Sequence, residues 1–201
     1  MSIRALLVFA CALLCFSCDG GTQVGLGRFR IIAARGANSC GPQSGLFNAS
    51  ATFDVELKVG NGTLRWTPSS GETATGSWSA SLHAFRVVLE QDAVAIPPDR
   101  RTQFVGCTIR RTDIIEGTIS FDDADASVTA DASAQVDAGT APVARSLTAT
   151  ETIVYGAVDG TDCRSLIGAG DGQLNAMPCN VTYALSGVRT GDVSATPAIT
   201  F

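Results

Sequence analysis

The sequence has little of what most enzymes use for chemistry. Its 201 residues include a single histidine, His83, and a single lysine, Lys58. After Cys18 no two cysteines have Cys-x-x-Cys spacing, and the sequence has neither a phosphate-binding loop nor a Gly-x-Ser-x-Gly elbow. A nucleophilic triad, a zinc site and thioredoxin-like redox chemistry are therefore not expected. The sequence predicts no catalytic, cofactor-binding or metal-binding residue, and we interpret His83 as a residue of a hairpin turn.

Long apolar runs are also missing, with one exception near the N-terminus. Arg4 precedes twelve apolar residues at positions 5–16, and Ser17, Cys18 and Asp19-Gly20-Gly21 follow. A helix that spans a bilayer needs about 20 apolar residues, so this run is too short to cross a membrane. A positive start, a short apolar core and small residues after it are typical of an export signal. We therefore predict a signal-peptide helix over residues 1–17.

The end of this signal carries a more specific pattern, Leu14-Cys15-Phe16-Ser17-Cys18. It resembles the lipobox of bacterial lipoproteins, in which a small residue precedes the cysteine that receives the lipid. The resemblance covers only this stretch, and Cys15 stands where the family usually has leucine. It implies that Cys18 becomes the mature N-terminus, carries palmitate-type acyl chains and anchors the protein to a membrane of the bacterial envelope, at the outer membrane or the periplasmic face of the inner membrane. An ordinary cleaved signal with an incidental cysteine is the alternative.

Removal of the signal changes the cysteine count. Cys11 and Cys15 leave with it and Cys18 takes the lipid, so four of the seven cysteines remain, namely Cys40, Cys107, Cys163 and Cys179. An even number in an exported chain predicts two disulfides. We expect Cys163 to pair with Cys179 because that bond closes a short loop, which leaves Cys40 to pair with Cys107.

Period-two alternation dominates the rest of the chain. Every odd position from Ala49 to Val59 is apolar, Asn61-Gly62 suits a tight hairpin turn, and residues 63–67 alternate again. The same pattern predicts strands with inward residues at Phe85, Val87 and Leu89, at 105–109, at 115–121 and at 179–185, with Thr112-Asp113 as a turn. Trp66 and Trp78 fall on the apolar phase, which predicts core packing.

Helix-forming Leu, Glu and Lys are sparse, whereas Thr, Ser, Val and Gly are abundant. The chain is therefore predicted to be all-β, an antiparallel β-sandwich, with an up-and-down barrel of the lipocalin type as the alternative. We expect a lipidated tether over 18–27 and a single β domain over 28–201. The stretch 122–145 keeps an alternating register, which favours an outer strand; a linker that splits the chain there is the alternative.

Charge limits the classes of partner. Without Arg4, 13 basic residues face 19 acidic ones, a net charge of about −6, which makes nucleic acid a poor partner. Acidic turns such as Asp122-Asp123 lack the spacing of a calcium loop. The predicted function is that of a non-enzymatic envelope module that binds a protein or glycan or has a structural role. A secreted hydrolase with an unrecognised carboxylate site and a lipocalin-like carrier of a small ligand are the alternatives.

The lipid anchor gives a first testable prediction. The Cys18→Ser substitution should block processing and acyl labelling, because the lipoprotein route needs this thiol. Cys15→Ser serves as the control and should be processed normally, since Leu14 before it excludes Cys15 as the acceptor. Precursor and mature forms can be separated on gels after palmitate labelling. Normal maturation of Cys18→Ser would contradict the lipoprotein prediction.

Overall fold

A computed structural model describes residues 23–41, 48–69, 71–122, 143–168 and 174–193. They form eight strands and one short 3-10 turn, Arg164–Leu166. The strands are β1 (Val24–Asn38), β2 (Ser50–Gly60), β3 (Thr63–Pro68), β4 (Ala74–Ser79), β5 (Ala84–Ile96), β6 (Cys107–Phe121), β7 (Ala144–Ala157) and β8 (Cys179–Gly191). The signal peptide, Cys18 and most of the stretch 122–145 lie outside the described residues. No described helix is long and apolar enough to cross a membrane.

Each strand pairs antiparallel with the next, and β8 pairs with β1, so the sheet closes into a barrel. The all-β prediction is confirmed, and the sandwich is wrong: the up-and-down barrel, given as the alternative, is the architecture. Alternation alone does not distinguish the two, because both have one buried and one exposed face per strand. β1 begins at Val24, opposite Val59, four residues before the predicted start of the domain.

Local signals at the β2–β3 hairpin are confirmed. Asn61 and Gly62 both have positive φ, 50° and 70°, as a tight hairpin turn requires. One other local detail is wrong: β6 continues without a break through Thr112 and Asp113, which the sequence predicts as a turn.

The apolar core runs through the barrel, from Leu26 near the start of β1 to Cys179 at the start of β8. Large side chains that are almost fully buried come from β1, β2, β3 and β5–β8, namely Phe29, Ile31, Leu57, Leu64, Trp66, Phe85, Val87, Ile119, Leu147 and Leu185. The Trp66 and Phe85 rings pack with centroids 6.0 Å apart, which confirms the predicted core position of Trp66. Trp78 is only half-buried and stacks on His83 in the turn that follows β4, as expected for a turn histidine.

The two ends of the barrel differ. We call the end that carries the start of β1 and the end of β8 the terminal end. Arg189 closes it from inside: a Cβ atom on Gly27 would lie 2.5 Å from the Arg189 Nε, and Arg189 also forms an ion pair with Asp192. Gly27 has φ of +130° beside a β-bulge, so the backbone there can pass close to the guanidinium only because the residue is glycine.

We call the opposite end the disulfide end, because both disulfides lie there. Cys40 after β1 bonds to Cys179 at the start of β8, and Cys107 at the start of β6 bonds to Cys163 in the β7–β8 connection. All four predicted cysteines are bridged, but the predicted pairs Cys163–Cys179 and Cys40–Cys107 are wrong. The error arises because barrel closure brings the end of β1 to the start of β8, 139 residues away in sequence. By loop entropy the two bonds contribute roughly 4–5 kcal/mol each.

Close strand contacts inside the barrel yield the second prediction. A Cβ atom on Gly117 would lie 2.5 Å from the Thr148 carbonyl oxygen and would clash with Cβ of Ala149, so Gly117→Ala should destabilise the fold by about 1–3 kcal/mol. Gly156→Ala, on the neighbouring strand with no atom within 4 Å, is the control and should be neutral or slightly stabilising. Denaturant unfolding of both variants measures this; equal stability would contradict the packing described.

Candidate functional site

At the disulfide end the barrel wall is incomplete among the described residues. β3 and β4 are short, so β5 beyond Val87 pairs only with β6, and β2 before Val55 pairs only with β1. Six long strands, β5–β6–β7–β8–β1–β2, continue past the core and form a curved wall with a gap between β2 and β5. The ladder of the described strands is therefore interrupted on this side of the barrel.

Several inward positions on this wall are polar, and they alternate with buried apolar positions such as Ile153 and Val181. On β6 the odd residues Cys107, Ile115 and Ile119 point inward, and Arg111 and Asp113 keep the same phase. On β7 and β8 the same phase places Glu151, Tyr155 and Tyr183 inside. With Arg35 on β1 they make a set that we call the polar cluster: Arg35, Arg111, Asp113, Glu151, Tyr155 and Tyr183.

Strand register brings the members of the polar cluster together. Glu151 lies opposite Tyr183 on β8, and Tyr183 lies opposite Arg35 on β1. Tyr155 lies opposite Arg111 on β6. Side chains opposite each other in an antiparallel sheet have Cβ atoms about 4.5–5.5 Å apart, so these pairs are in contact range across the wall.

An ion pair anchors the β6 side of the cluster. The Arg111 Nε donates to the Asp113 Oδ1 at 2.6 Å, and Asp113 is 9% exposed. The Arg111 side chain is 40% exposed to solvent, whereas the Asp113 side chain is 12% exposed. Two arginines on the outer face, Arg30 and Arg110, bind their aspartates through both Nε and Nη2. The single bond to Asp113 leaves the Nη donors of Arg111 unused by that partner.

Glu151 is the most perturbed group of the cluster. Burial, and to a smaller extent the negative charge of Asp113, raise the pKa of Glu151 to about 7, against the opposing effect of Arg111. Glu151 takes part in none of the ion pairs formed between described residues. The carboxyl group is therefore close to half-protonated at neutral pH and can donate or accept a hydrogen bond.

The two tyrosines complete the cluster as neutral groups. Burial raises the pKa of both Tyr155 and Tyr183, so both phenols stay protonated at neutral pH. The Tyr183 Oη donates to the Asn48 carbonyl oxygen at 3.3 Å, which ties the cluster to the β1–β2 connection. The cluster thus offers cations, an anion, a titrating acid and phenols within one concave face.

The sequence predicted none of these residues as a site. Thr112-Asp113 looked like a turn because two polar residues interrupt an apolar strand. The available signal was phase: Arg111 and Asp113 occupy the same odd register as Cys107, Ile109 and Ile115. Polar residues that keep the inward phase of a long strand indicate a polar interior.

Other features singled out from the sequence lie elsewhere. His83 is at the terminal end, with its ring 4.6 Å from that of Phe121 and far along the strands from the polar cluster. A shallow groove of about 420 Å³ lies beside Cys163, but its charges are already paired, since the Arg164 Nε donates to the Asp162 Oδ1 at 2.9 Å. No group of three or more potential metal ligands occurs among the described residues.

Comparison of the chain with protein-family models, with curated proteins and with solved structures finds no match. The two disulfides fit an oxidising compartment and hence an exported protein.

Titration of Glu151 yields the third prediction. Its folded-state pKa of about 7 lies above the ordinary glutamate pKa of 4.5, so the folded state binds the extra proton. Stability from this group is fully present below about pH 4.5 and is lost as pH rises through about 7, by roughly 3 kcal/mol in total. Glu151→Gln should remove this loss and should therefore be the more stable protein at about pH 8.

Denaturant unfolding from about pH 4 to about pH 8 measures the effect. Glu116→Gln is the matched control, because Glu116 lies on the same sheet but on the outer face, paired with Arg86 and 59% exposed. It should leave the pH dependence unchanged. A parental slope that persists in Glu151→Gln would show that another group titrates.

Proposed function

We propose that the protein is an exported, lipid-anchored β-barrel that binds a small polar molecule at its disulfide end. The observation that carries this proposal is the polar cluster on the inward face of the barrel. Packing alone favours apolar side chains there, as in the rest of the interior, and burial of charge costs stability unless each group is paired. A binding role accounts for ionisable groups that a purely structural barrel would not need.

The shape of the barrel supports a small ligand over a long apolar one. Eight-stranded barrels have room inside either for side chains or for one small ligand. Here large side chains, among them Leu185, Leu147 and Phe29, fill the interior between the polar cluster and the terminal end. A ligand would therefore bind in the gap between β2 and β5 at the disulfide end, which we call the mouth, and would not enter the core. This argues against the carrier of a buried apolar ligand that the sequence left open.

The proposed anchor would attach at the end of the barrel opposite the proposed binding end. β1 starts at the terminal end with Val24, six residues after Cys18, whereas the polar cluster and both disulfides lie at the other end. A lipid on Cys18 would therefore hold the terminal end near the membrane and direct the mouth away from it. The disulfides join the connections that surround the mouth, which supports a preformed site.

A hydrolase is the second candidate, and one observation favours it. Asp113 is held in an ion pair with Arg111, while Glu151 has its pKa raised to about 7 by burial. A buried acid whose pKa lies near the working pH, with a second carboxylate nearby, is typical of acid–base catalysis. Turnover of nitrophenyl esters or glycosides that is lost in Glu151→Gln would favour the enzyme.

The binding proposal is tested by amide-resonance mapping of the isotope-labelled protein. Acetate, methylamine, glycylglycine and N-acetylglucosamine are titrated in turn, and at least one should shift resonances saturably. The shifted residues should concentrate at 109–113, 151–155 and 181–183. Asp113→Asn should weaken the effect because it breaks the inner ion pair, whereas Asp92→Asn, which breaks an equivalent pair with Arg110 on the outer face, should not. Absence of any saturable shift at the mouth would overturn the proposal.

A further inference from the structure

Three aromatic rings lie together at the terminal end of the barrel. The rings of Trp78 and His83 are nearly parallel, with 11° between their planes and centroids 6.4 Å apart, and the His83 ring lies 4.6 Å from that of Phe121. Trp78 and Phe121 pack against the apolar core but remain partly exposed. Leu82, in the turn before β5, is 72% exposed. We call Trp78, Leu82, His83 and Phe121 the terminal patch.

Backbone hydrogen bonds place the terminal patch at the end where β1 begins. The Trp78 amide donates to the carbonyl oxygen of Gly62, in the turn that follows β2, at 2.8 Å. The end of β2 in turn lies opposite Val24, the first residue of β1. The patch is carried by β4, β5 and β6, which lie three or four strands from β1 in either direction around the barrel. The patch and the start of β1 are therefore on opposite sides of the terminal end.

The chemistry of the terminal patch suits a lipid surface. Two ion pairs at this end, Arg145 with Asp122 and Arg189 with Asp192, compensate their own charges. The patch itself presents aromatic faces, an exposed aliphatic side chain and the indole N–H of Trp78. Tryptophan is enriched at the boundary between lipid headgroups and acyl chains, because its ring is apolar and its N–H is polar.

The proposed lipid anchor limits how far this patch can lie from a membrane. Cys18 precedes Val24 by six positions in the sequence. A fully extended chain covers at most about 20 Å over that distance. A lipid on Cys18 would therefore keep the whole terminal end next to the bilayer, and the lipid surface is the partner that this end would always meet.

We propose that the terminal patch inserts into the headgroup region of the bilayer and, together with the lipid on Cys18, holds the barrel upright by two contacts on opposite sides of its terminal end. The inference rests on the proposed function, because it needs the lipid on Cys18. A single lipid would leave the barrel free to tilt about the start of β1. The second contact removes that freedom and keeps the mouth directed away from the membrane. Burial of apolar surface drives the contact, so zwitterionic lipid should be sufficient.

Tryptophan quenching tests the contact, because the chain has only two tryptophans and the other, Trp66, is 4% exposed. The lipidated protein is purified from membranes of expressing cells and reconstituted in phosphatidylcholine vesicles with bromine at a shallow or a deep acyl position. Wild-type emission should be partly quenched, and more by shallow than by deep bromine, because tryptophan prefers the headgroup level. Trp78→Phe, in which only Trp66 emits, should not be quenched. Trp66→Phe should be quenched more completely than the wild type.

Two exposed aliphatic residues provide a matched pair of variants. Leu82→Asn should reduce the quenching, because it removes apolar surface from the terminal patch. Val94→Asn should leave the quenching unchanged, since Val94 is similarly exposed, at 66%, but lies on β5 near the disulfide end. If Trp66→Phe does not fold, the wild type and Trp78→Phe still decide the question.

Lipidated protein that neither brominated lipid quenches would overturn the inference and leave the anchor in place. Equal quenching of the wild type and Trp78→Phe would overturn it as well. Acrylamide, a quencher in water, would then show whether the patch is open to solvent or covered by a second copy of the chain. Protein that carries no acyl chain removes the anchor together with the inference. Saturable shifts at the mouth would leave the binding function in place in every case.

Discussion

The ladder between β1 and β8 joins the first and last of the described strands, from Arg28 opposite Gly191 to Asn38 opposite Val181. Without it the sheet would have two long exposed edges, and the large side chains of its inner face would have no enclosed core. Closure fixes which phase of every strand faces inward. Closure thereby determines which side chains form the apolar core around Phe29 and Leu185. It also determines the position of the polar cluster, on the disulfide-end side of these residues.

The two halves of the interior meet different requirements. The half toward the terminal end is stabilised by burial of large apolar side chains. The half toward the disulfide end also holds Arg111, Asp113 and Glu151, whose desolvation opposes folding. The cost is limited because the gap between β2 and β5 leaves Arg111 partly hydrated. The two disulfides stabilise the same end and offset part of the cost. Buried polar groups that lower local stability are typical of binding sites in proteins.

Strand phase and the Asn61-Gly62 turn could be predicted from the sequence because they depend on neighbouring residues. The choice between barrel and sandwich could not, because it depends on whether β1 meets β8, 140 or more residues apart. The disulfide pairing failed for the same reason: Cys163 and Cys179 are neighbours in sequence, but closure places Cys179 beside Cys40. For the site, Asp113 was mistaken for a turn residue, although its register with Ile115 marked it as inward. Tyr183 was recognised as inward but not as a partner of Glu151, since that requires the register of β7 against β8.

The Cys40–Cys179 bond also determines how the molecule responds to mechanical force. Tension applied between the two chain ends enters at the terminal end, where β1 and β8 lie side by side, and would peel their ladder apart one pair at a time. The peeling stops at the disulfide, because the covalent path then runs directly from Cys40 to Cys179. The intervening chain, which contains β2–β7 and all of the polar cluster except Arg35 and Tyr183, carries none of the tension. A pull on a tethered barrel would therefore leave most of its mouth intact.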